Sequence, residues 1–505
     1  MSQERAAAIG AGPGGLVTAR YLKSQGFLPV MFESHRELGG QWNNENRNSG
    51  VWPLMRTNTA RMVTRFSDLD YPENVAVFPR NTEVLAYLQQ YAAQFDLLTH
   101  AHLSCTITGL QRDPSGGYQL TWTDAMGQQI TEHFPRVVVA SGRYNDPVIP
   151  YIAGLDSFGG ELGAIHAFHY KNPESYRDKK VLVAGGSISA LEIASDLAML
   201  GARSVTLTNR RQRWVVPKMI AGTPIESYSL TRAGTLNDER RTDTENAAAQ
   251  LAFLRRYAGD PARYGAPAPH PDVRRAGVTG SQHFLNLVAE DRIACRPWID
   301  RVDDRSVTFI DGTSAEFDAM IIGTGFRLNL PYLSDEIATI VEADEKSIML
   351  ADFTFHPDLD GLGFIGLWPL SGPYPVPLEQ QARYLAYTWG GAIPQRTKLQ
   401  LAAALEDCRV NNPHLGYQRQ NDMAIRFARL AGTDPEGAAD PEVAALTEPN
   451  AVTSMTFRIA GVDALDDALD VVRQEATRYG RVPVSGRGRA SAGPGSKGSL
   501  YWSRR

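Results

Sequence analysis

The stretch AAAIGAGPGGLVTARYL, residues 6–22, decides the fold. An apolar run enters a glycine-rich turn, and the turn opens a helix-like segment. That order marks a strand–turn–helix unit that binds a dinucleotide. Gly10 permits the tight turn, Gly12 lets backbone approach a pyrophosphate, and Gly15 lets helix and strand pack closely; Gly14 belongs to the same phosphate-facing turn. The helix N-terminus offers free N–H groups and a favourable dipole to the phosphates. The order recurs at VLVAGGSISALEIASDL, residues 181–197, where Gly185, Ser187 and Ala190 take the three places and Ser189 stands beside them. Ser187 departs from the glycine pattern, yet its hydroxyl can donate near a pyrophosphate. Two such turns predict an α/β protein with two Rossmann-like dinucleotide-binding units.

The residues that follow each turn separate the two sites. After the first, the strand PVMFE ends in Glu33. A carboxylate there bonds a ribose 2′-hydroxyl and repels a 2′-phosphate, so this site takes FAD or NAD, not NADP. After the second, VTLTNRRQR presents Asn209, Arg210 and Arg211 and no carboxylate. Two guanidiniums favour a 2′-phosphate, which predicts NADPH over the alternative of a solvated basic loop.

The 505 residues allow more than one core. With 43% hydrophobic and 21% charged residues, the composition is that of a soluble globular protein. A formal net charge of -5 argues against nucleic acid or an anionic membrane as partner. Cys105, Cys295 and Cys408 form no CxxC pair, so no redox disulfide or zinc site is suggested, and no metal is expected. Scattered thiols, the early first strand and the lack of an apolar run of about 18–20 residues predict a cytoplasmic protein without signal peptide or membrane span.

Residues 5–35 read as strand, turn, helix, strand, with Leu16, Ala19 and Leu22 three apart and Val17 and Tyr21 four apart on the buried face. Residues 82–95 predict an amphipathic helix capped by Thr82. Strands are expected at 117–123 and 134–140, and NDPVIPYIAGLDSFGG, residues 145–160, reads as a linker. The strand–turn–helix–strand order returns over 180–209. Residues 218–280 are polar, with one helix expected near 243–258, and read as an insertion. Strands resume at 306–310 and within 317–326; GLGFIGL, residues 361–367, is apolar, and EQQARYLAYTWGG after it is helical. Beyond about 481 the Gly-, Ser- and Arg-rich sequence reads as disordered. Residues 1–150 with 325–480 are thus expected to form a discontinuous FAD-binding domain, and 151–324 an NADPH-binding domain that carries the insertion.

Between the turns lie ELGGQW, residues 37–42, and RTN, residues 56–58. With these motifs the chain resembles the class B flavin-dependent monooxygenases, which include the flavin-containing monooxygenases; the GxSxSA form at 185–190 is similar to bacterial trimethylamine monooxygenases. The resemblance implies that Gly40, Gln41, Trp42 and Thr57 line FAD, and that Asn58 is the active-site asparagine beside flavin and nicotinamide. For Trp42 plain core packing is the alternative. The family's FxGxxxHxxx fingerprint, closed by an aromatic, matches FGGELGAIHAFHYK, residues 158–171, through Phe158, Gly160, His166 and Tyr170, with two extra residues between Gly160 and His166. His166 and Tyr170 are thereby expected near the cofactors, although a simply packed histidine fits equally well. VVVASGRYNDPVIP (137–150) and MIIGTGF (320–326) resemble the family's paired hinges, which puts Ser141, Gly142, Thr324 and Gly325 beside cofactor. GLGFIGL followed by EQQARYLA resembles its return to the FAD domain, and TFRIAGVDALDDALD (456–470) resembles its C-terminal end.

The reaction implied is NADPH-dependent reduction of FAD, then oxygenation of a soft nitrogen or sulfur atom by molecular oxygen through a flavin hydroperoxide. An amine or sulfide is the expected substrate. Tyr170 followed by Lys171, in place of the Trp-Pro or Trp-Asp of Baeyer–Villiger enzymes, favours heteroatom oxygenation over a ketone substrate. Baeyer–Villiger oxidation of ketones, a flavoprotein NADPH oxidase or reductase and a non-catalytic redox sensor remain as alternatives, and a homodimer stays open. WPLSGPYPVP (368–377) and the insertion are expected at the entrance, with Trp368 and Tyr374 either gating it or packing the loop.

Overall fold

The structure is a computed structural model that describes residues 3–411, 417–435 and 440–479. Its first unit is a five-stranded parallel sheet built from β1 (Arg5–Ile9), β2 (Leu28–Phe32), β3 (Ala101–His102), β4 (Arg136–Val139) and β10 (Leu362–Phe364), in the order β10-β4-β1-β2-β3. Its second repeats the design with β5 (Ala164–His166), β6 (Lys180–Ala184), β7 (Ser204–Thr208), β8 (Ile293–Arg296) and β9 (Ala319–Ile322), ordered β8-β7-β6-β9-β5. Strands covered on both faces carry unbroken apolar runs, and alternate residues serve opposite sides. Ala6 and Ala8 face the helix α1 (Pro13–Ser24), while Ala7 and Ile9 face a three-stranded antiparallel sheet through Leu120, Trp122 and Phe134. In the second unit Val181 and Val183 face α3 (Ile188–Leu200), while Leu182 and Ala184 meet Val302, Val307 and Phe309 of a second antiparallel sheet. The internal similarity therefore extends beyond the two turns to the layers around them.

The helix α1 begins with Pro13 at its first position, where the missing N–H costs nothing. Leu16, Val17, Ala19, Tyr21 and Leu22 are all fully buried, as their spacing predicts. The helix α2 (Asn81–Gln94) corrects the expected cap. Arg80 holds the extended N-cap position and its N–H donates to the Glu83 carboxylate at 2.7 Å, so Thr82 lies inside the first turn. Asn81 donates its side-chain amide to the Trp52 carbonyl at 2.8 Å and ties the helix to the loop before Asn58.

The segment 218–280 is far from featureless. It contains α4 (Glu226–Ser229), α5 (Arg232–Arg240) and α6 (Asp243–Tyr257). It also leaves its own unit: α5 packs on α8 (Gln420–Ala431), Arg232 pairs with buried Asp434, and Thr231 bridges to Ala451. The helix α7 (Pro375–Gly390) packs against α1, and its fully buried Arg383 pairs with Asp463 of the 456–470 segment. Trp368 packs on Phe427 and is buried, whereas Tyr374 reaches the central cavity. The stretch from 480 onward, where a tail was expected, lies outside the described residues.

Candidate active site

Both glycine-rich turns open onto one cavity of about 2090 Å³. Of the residues expected to serve cofactors, Gly10, Gly12, Gly14, Glu33, Gly40, Gln41, Trp42, Thr57, Asn58, Ser141, Gly142, His166, Ser187, Ser189, Arg211, Thr324 and Gly325 line it. Gly15, Gly185, Tyr170 and Arg210 stand off the wall. The first two pack behind the turns: a Cβ on Gly15 would sit 1.9 Å from the Gly10 carbonyl oxygen, and one on Gly185 2.4 Å from that of Gly323. Tyr170 is fully buried among Trp52 and Tyr176. The Arg210 guanidinium lies over the Trp298 ring, 5.3 Å from its centroid.

At the first turn, Gly10 adopts φ +104 and donates its N–H to the Phe32 carbonyl at 2.7 Å. Gly39 returns a bond to the Ala11 carbonyl at 2.9 Å, which brings Gly40 against Gly12; a Cβ on Gly40 would meet the Gly12 Cα at 2.9 Å. Glu33 is buried at the end of β2, accepts the Ala11 and His35 N–H groups at 3.0 Å each, and faces the cavity. At the second turn, Ser187 caps α3 in extended conformation without using its hydroxyl on the helix. Arg211, Arg213 and Arg274 stand on the wall there. Arg213 and Arg274 escaped the sequence reading: Arg210 and Arg211 lie in a bend after β7, where strand alternation does not apply, and Arg274 comes from a distant part of the chain.

The two crossings between units run together. Short strands Asp146–Pro147 and Phe326–Arg327 pair antiparallel, Val148 donates to the Gly325 carbonyl at 3.0 Å, and Thr324 donates to the Val148 carbonyl. The two extra fingerprint residues form a turn, closed by the Gly163 N–H on the Gly160 carbonyl at 2.9 Å, just before β5. His166 then lands on the cavity wall. Its Nδ1 accepts the Phe168 N–H at 3.0 Å, so in the neutral ring the proton sits on Nε2. Burial pushes its pKa down to about 4, and the Gly325 backbone pulls the other way without reaching hydrogen-bond geometry, leaving Nε2 without a partner.

Asn58 sits on a pinned loop. The Thr57 N–H bonds the Pro79 carbonyl at 2.9 Å, the Thr57 hydroxyl bonds the Thr59 carbonyl at 2.8 Å, and the Ala60 N–H bonds Glu226 at 3.2 Å. The Asn58 side-chain oxygen is buried and has no partner. Burying such a group unpaired costs about 1–3 kcal/mol, so an unpartnered amide on a cavity wall fits a bound polar ligand. Among the described residues no cluster of His, Cys, Asp and Glu could hold a metal ion, and no helix is long and apolar enough to cross a membrane.

Comparison with known proteins agrees with this arrangement. Residues 3–420 match the family model described as flavin-binding monooxygenase-like. Rat flavin-containing monooxygenase 5 is 24% identical over 496 residues, covering 91% of this chain and 90% of that protein. The S-allyl-L-cysteine S-oxygenase of Allium sativum superposes with a TM-score of 0.63 at 22% identity, over 95% of this chain and 99% of that one. An oxidized steroid monooxygenase bound to NADP gives 0.60 at 16% identity, over 87% and 98%. With two dinucleotide-type turns facing one cavity and a family match over most of its length, this chain belongs to the flavin-binding monooxygenase-like family.

Proposed function

We propose that the protein is an NADPH- and oxygen-dependent FAD monooxygenase that oxygenates a soft nitrogen or sulfur atom of a small molecule. The observation that carries this reading is the unpartnered Asn58 amide on the wall of a cavity that joins both turns. Residues 1–150 with 325–480 form the FAD-binding domain and 151–324 the NADPH-binding domain. The residues fit FAD: Gly12 and Gly40 leave room for a pyrophosphate at the N-terminus of α1, and buried Glu33 suits a ribose hydroxyl. When bound, the flavin supplies hydride acceptance and oxygen activation. The protein's part is to bind, orient and exclude water. Asn58 and the neutral His166 would offer polar atoms to the ligands, and Gln41 and Trp42 would line the flavin. An NADP-bound relative in fold supports the second site as that of NADPH.

The direct test supplies NADPH, labelled molecular oxygen and a panel of amines, sulfides and ketones. One labelled atom in an N-oxide or S-oxide per NADPH consumed is expected. Stoichiometric peroxide with no oxygenated product overturns the reading, and so does exclusive ester formation from ketones.

Arg211 is assigned to the 2′-phosphate, with Arg213 and Arg274 beside it. One Nη of Arg211 is spent on the Arg275 carbonyl at 2.9 Å, which orients the guanidinium. Arg211→Ala is expected to raise KM for NADPH about tenfold, the worth of one charged hydrogen bond, with little change in kcat or in KM for NADH. Arg210→Ala is expected to have a smaller effect, because that guanidinium lies on Trp298. Equal losses for NADPH and NADH would place the 2′-phosphate elsewhere.

A further inference from the structure

The cavity is lined by carboxylates whose partners differ. Asp146 pairs with Arg327, and Asp238 and Asp422 both pair with Arg419. Glu33 is engaged by the backbone N–H groups of Ala11 and His35. Glu226 is unlike these. It opens α4 in the insertion, is only 1% exposed, and uses one oxygen to accept the Ala60 N–H at 3.2 Å. Its Oε2 is buried without a partner, and the residue contributes to the wall of the same cavity, against the loop that carries Asn58. The nearby cation that acts on it, Lys218, is itself bonded to Glu192 at 2.6 Å, and Glu192 also accepts the Ser281 hydroxyl at 2.8 Å.

A buried carboxylate with one free oxygen is expensive unless a ligand completes it. Little in the local packing lets Glu226 escape to solvent. The segment is anchored by the Arg232–Asp434 pair and by the Asn421 amide on the Thr231 carbonyl at 3.1 Å. Ile225 and Leu230 flank it with apolar surface on the same wall.

We propose that Glu226 is the recognition and deprotonation site for an amine substrate: its free oxygen receives the substrate ammonium and takes one proton. The N–H bond breaks, an O–H bond forms on Glu226, and the electron pair stays on nitrogen, where oxygenation needs it. This rests on the monooxygenase reading above and deepens it by naming amines, which carry such a proton, over thioethers, which do not. Burial pushes the Glu226 pKa up to about 7, with its own and the Ala60 backbone N–H groups and Lys218 opposing, so the carboxyl can both hold and release a proton near neutral pH.

The test uses the purified protein as isolated and two readouts. The first is binding of benzyltrimethylammonium, a permanent cation, by calorimetry. Its affinity is expected to rise about tenfold between about pH 6 and 8 as Glu226 ionises, and to be lost in large part, with the pH step, in Glu226→Gln. A flat pH profile in the unmodified protein overturns the proposal, and this measurement does not depend on the variant folding. The second is the ratio of kcat/KM for N,N-dimethylbenzylamine to that for benzyl methyl sulfide, expected to fall about tenfold or more in E226Q. An unchanged ratio with both substrates oxygenated overturns the role of Glu226 and leaves the monooxygenase reading intact. Cation binding with the expected pH step but no oxygenation of either substrate supports Glu226 and overturns the monooxygenase reading instead.

Discussion

Asn58→Leu is expected to leave the flavin bound and to lower oxygenation about 100-fold or more, the scale of losing a preorganised polar group at a reacting centre. Leucine keeps the branched heavy-atom skeleton of asparagine and removes both its donor and its acceptor. The loop does not depend on that side chain: Thr57 and Ala60 fix it through the Pro79 carbonyl and the Glu226 carboxylate. Flavin content and thermal stability should therefore match the unmodified protein, while NADPH oxidation continues and yields peroxide. Mass balance of NADPH, peroxide and product checks this. Product formation within about twofold of the unmodified enzyme would remove Asn58 from the site.

What the sequence made legible was local. The requirement at Gly10 for a positive φ, the small third residue of the first turn and the carboxylate at Glu33 are all set within some thirty residues of one another, so spacing carries them. The two hinges were visible for the same reason, since small residues after an apolar strand leave a local trace. What long-range packing assembles was not legible. Glu226 reaches the wall because α5 docks on α8, nearly two hundred residues away in the chain, and nothing around Glu226 in the sequence marks that contact. The insertion read as polar surface because its buried groups, Arg232 and Thr235 among them, are polar residues satisfied by distant partners, Asp434 and Asp422. Hydropathy periodicity cannot register a core of that kind. Tyr170 shows the opposite limit. Its motif position is sound, yet the backbone turns its ring inward onto Trp52, and a one-dimensional fingerprint carries no direction.

Gly15→Ala is expected to give protein without flavin, whereas Gly12→Ala is expected to fold normally and bind flavin more weakly. The two glycines fail differently because their neighbours differ. A Cβ on Gly15 would lie 1.9 Å from the Gly10 carbonyl oxygen, inside the turn itself, so either α1 or the turn has to move. The helix cannot. Its packed residues are fully buried, and the buried Tyr21 hydroxyl donates to the Glu379 carboxylate of α7 at 2.7 Å, which also accepts the Ser67 N–H at 2.8 Å. Overpacking of this kind costs about 1–3 kcal/mol or more, and the strain falls on the turn that must face the pyrophosphate. A loss of flavin affinity of about 100-fold, equal to about 2.7 kcal/mol, is expected together with a lower melting temperature of the flavin-free protein. At Gly12 the φ of -79 suits any residue and the nearest atom to a Cβ is the Gly40 Cα at 3.5 Å, an ordinary contact. The methyl group of Gly12→Ala projects into the channel between the two loops and obstructs the ligand, not the fold, so flavin-free stability should be unchanged while flavin affinity falls. Comparing flavin-free proteins is essential, because bound ligand raises apparent stability by mass action. A Gly15→Ala protein that retains full flavin content would show that the turn can yield where the packing says it cannot.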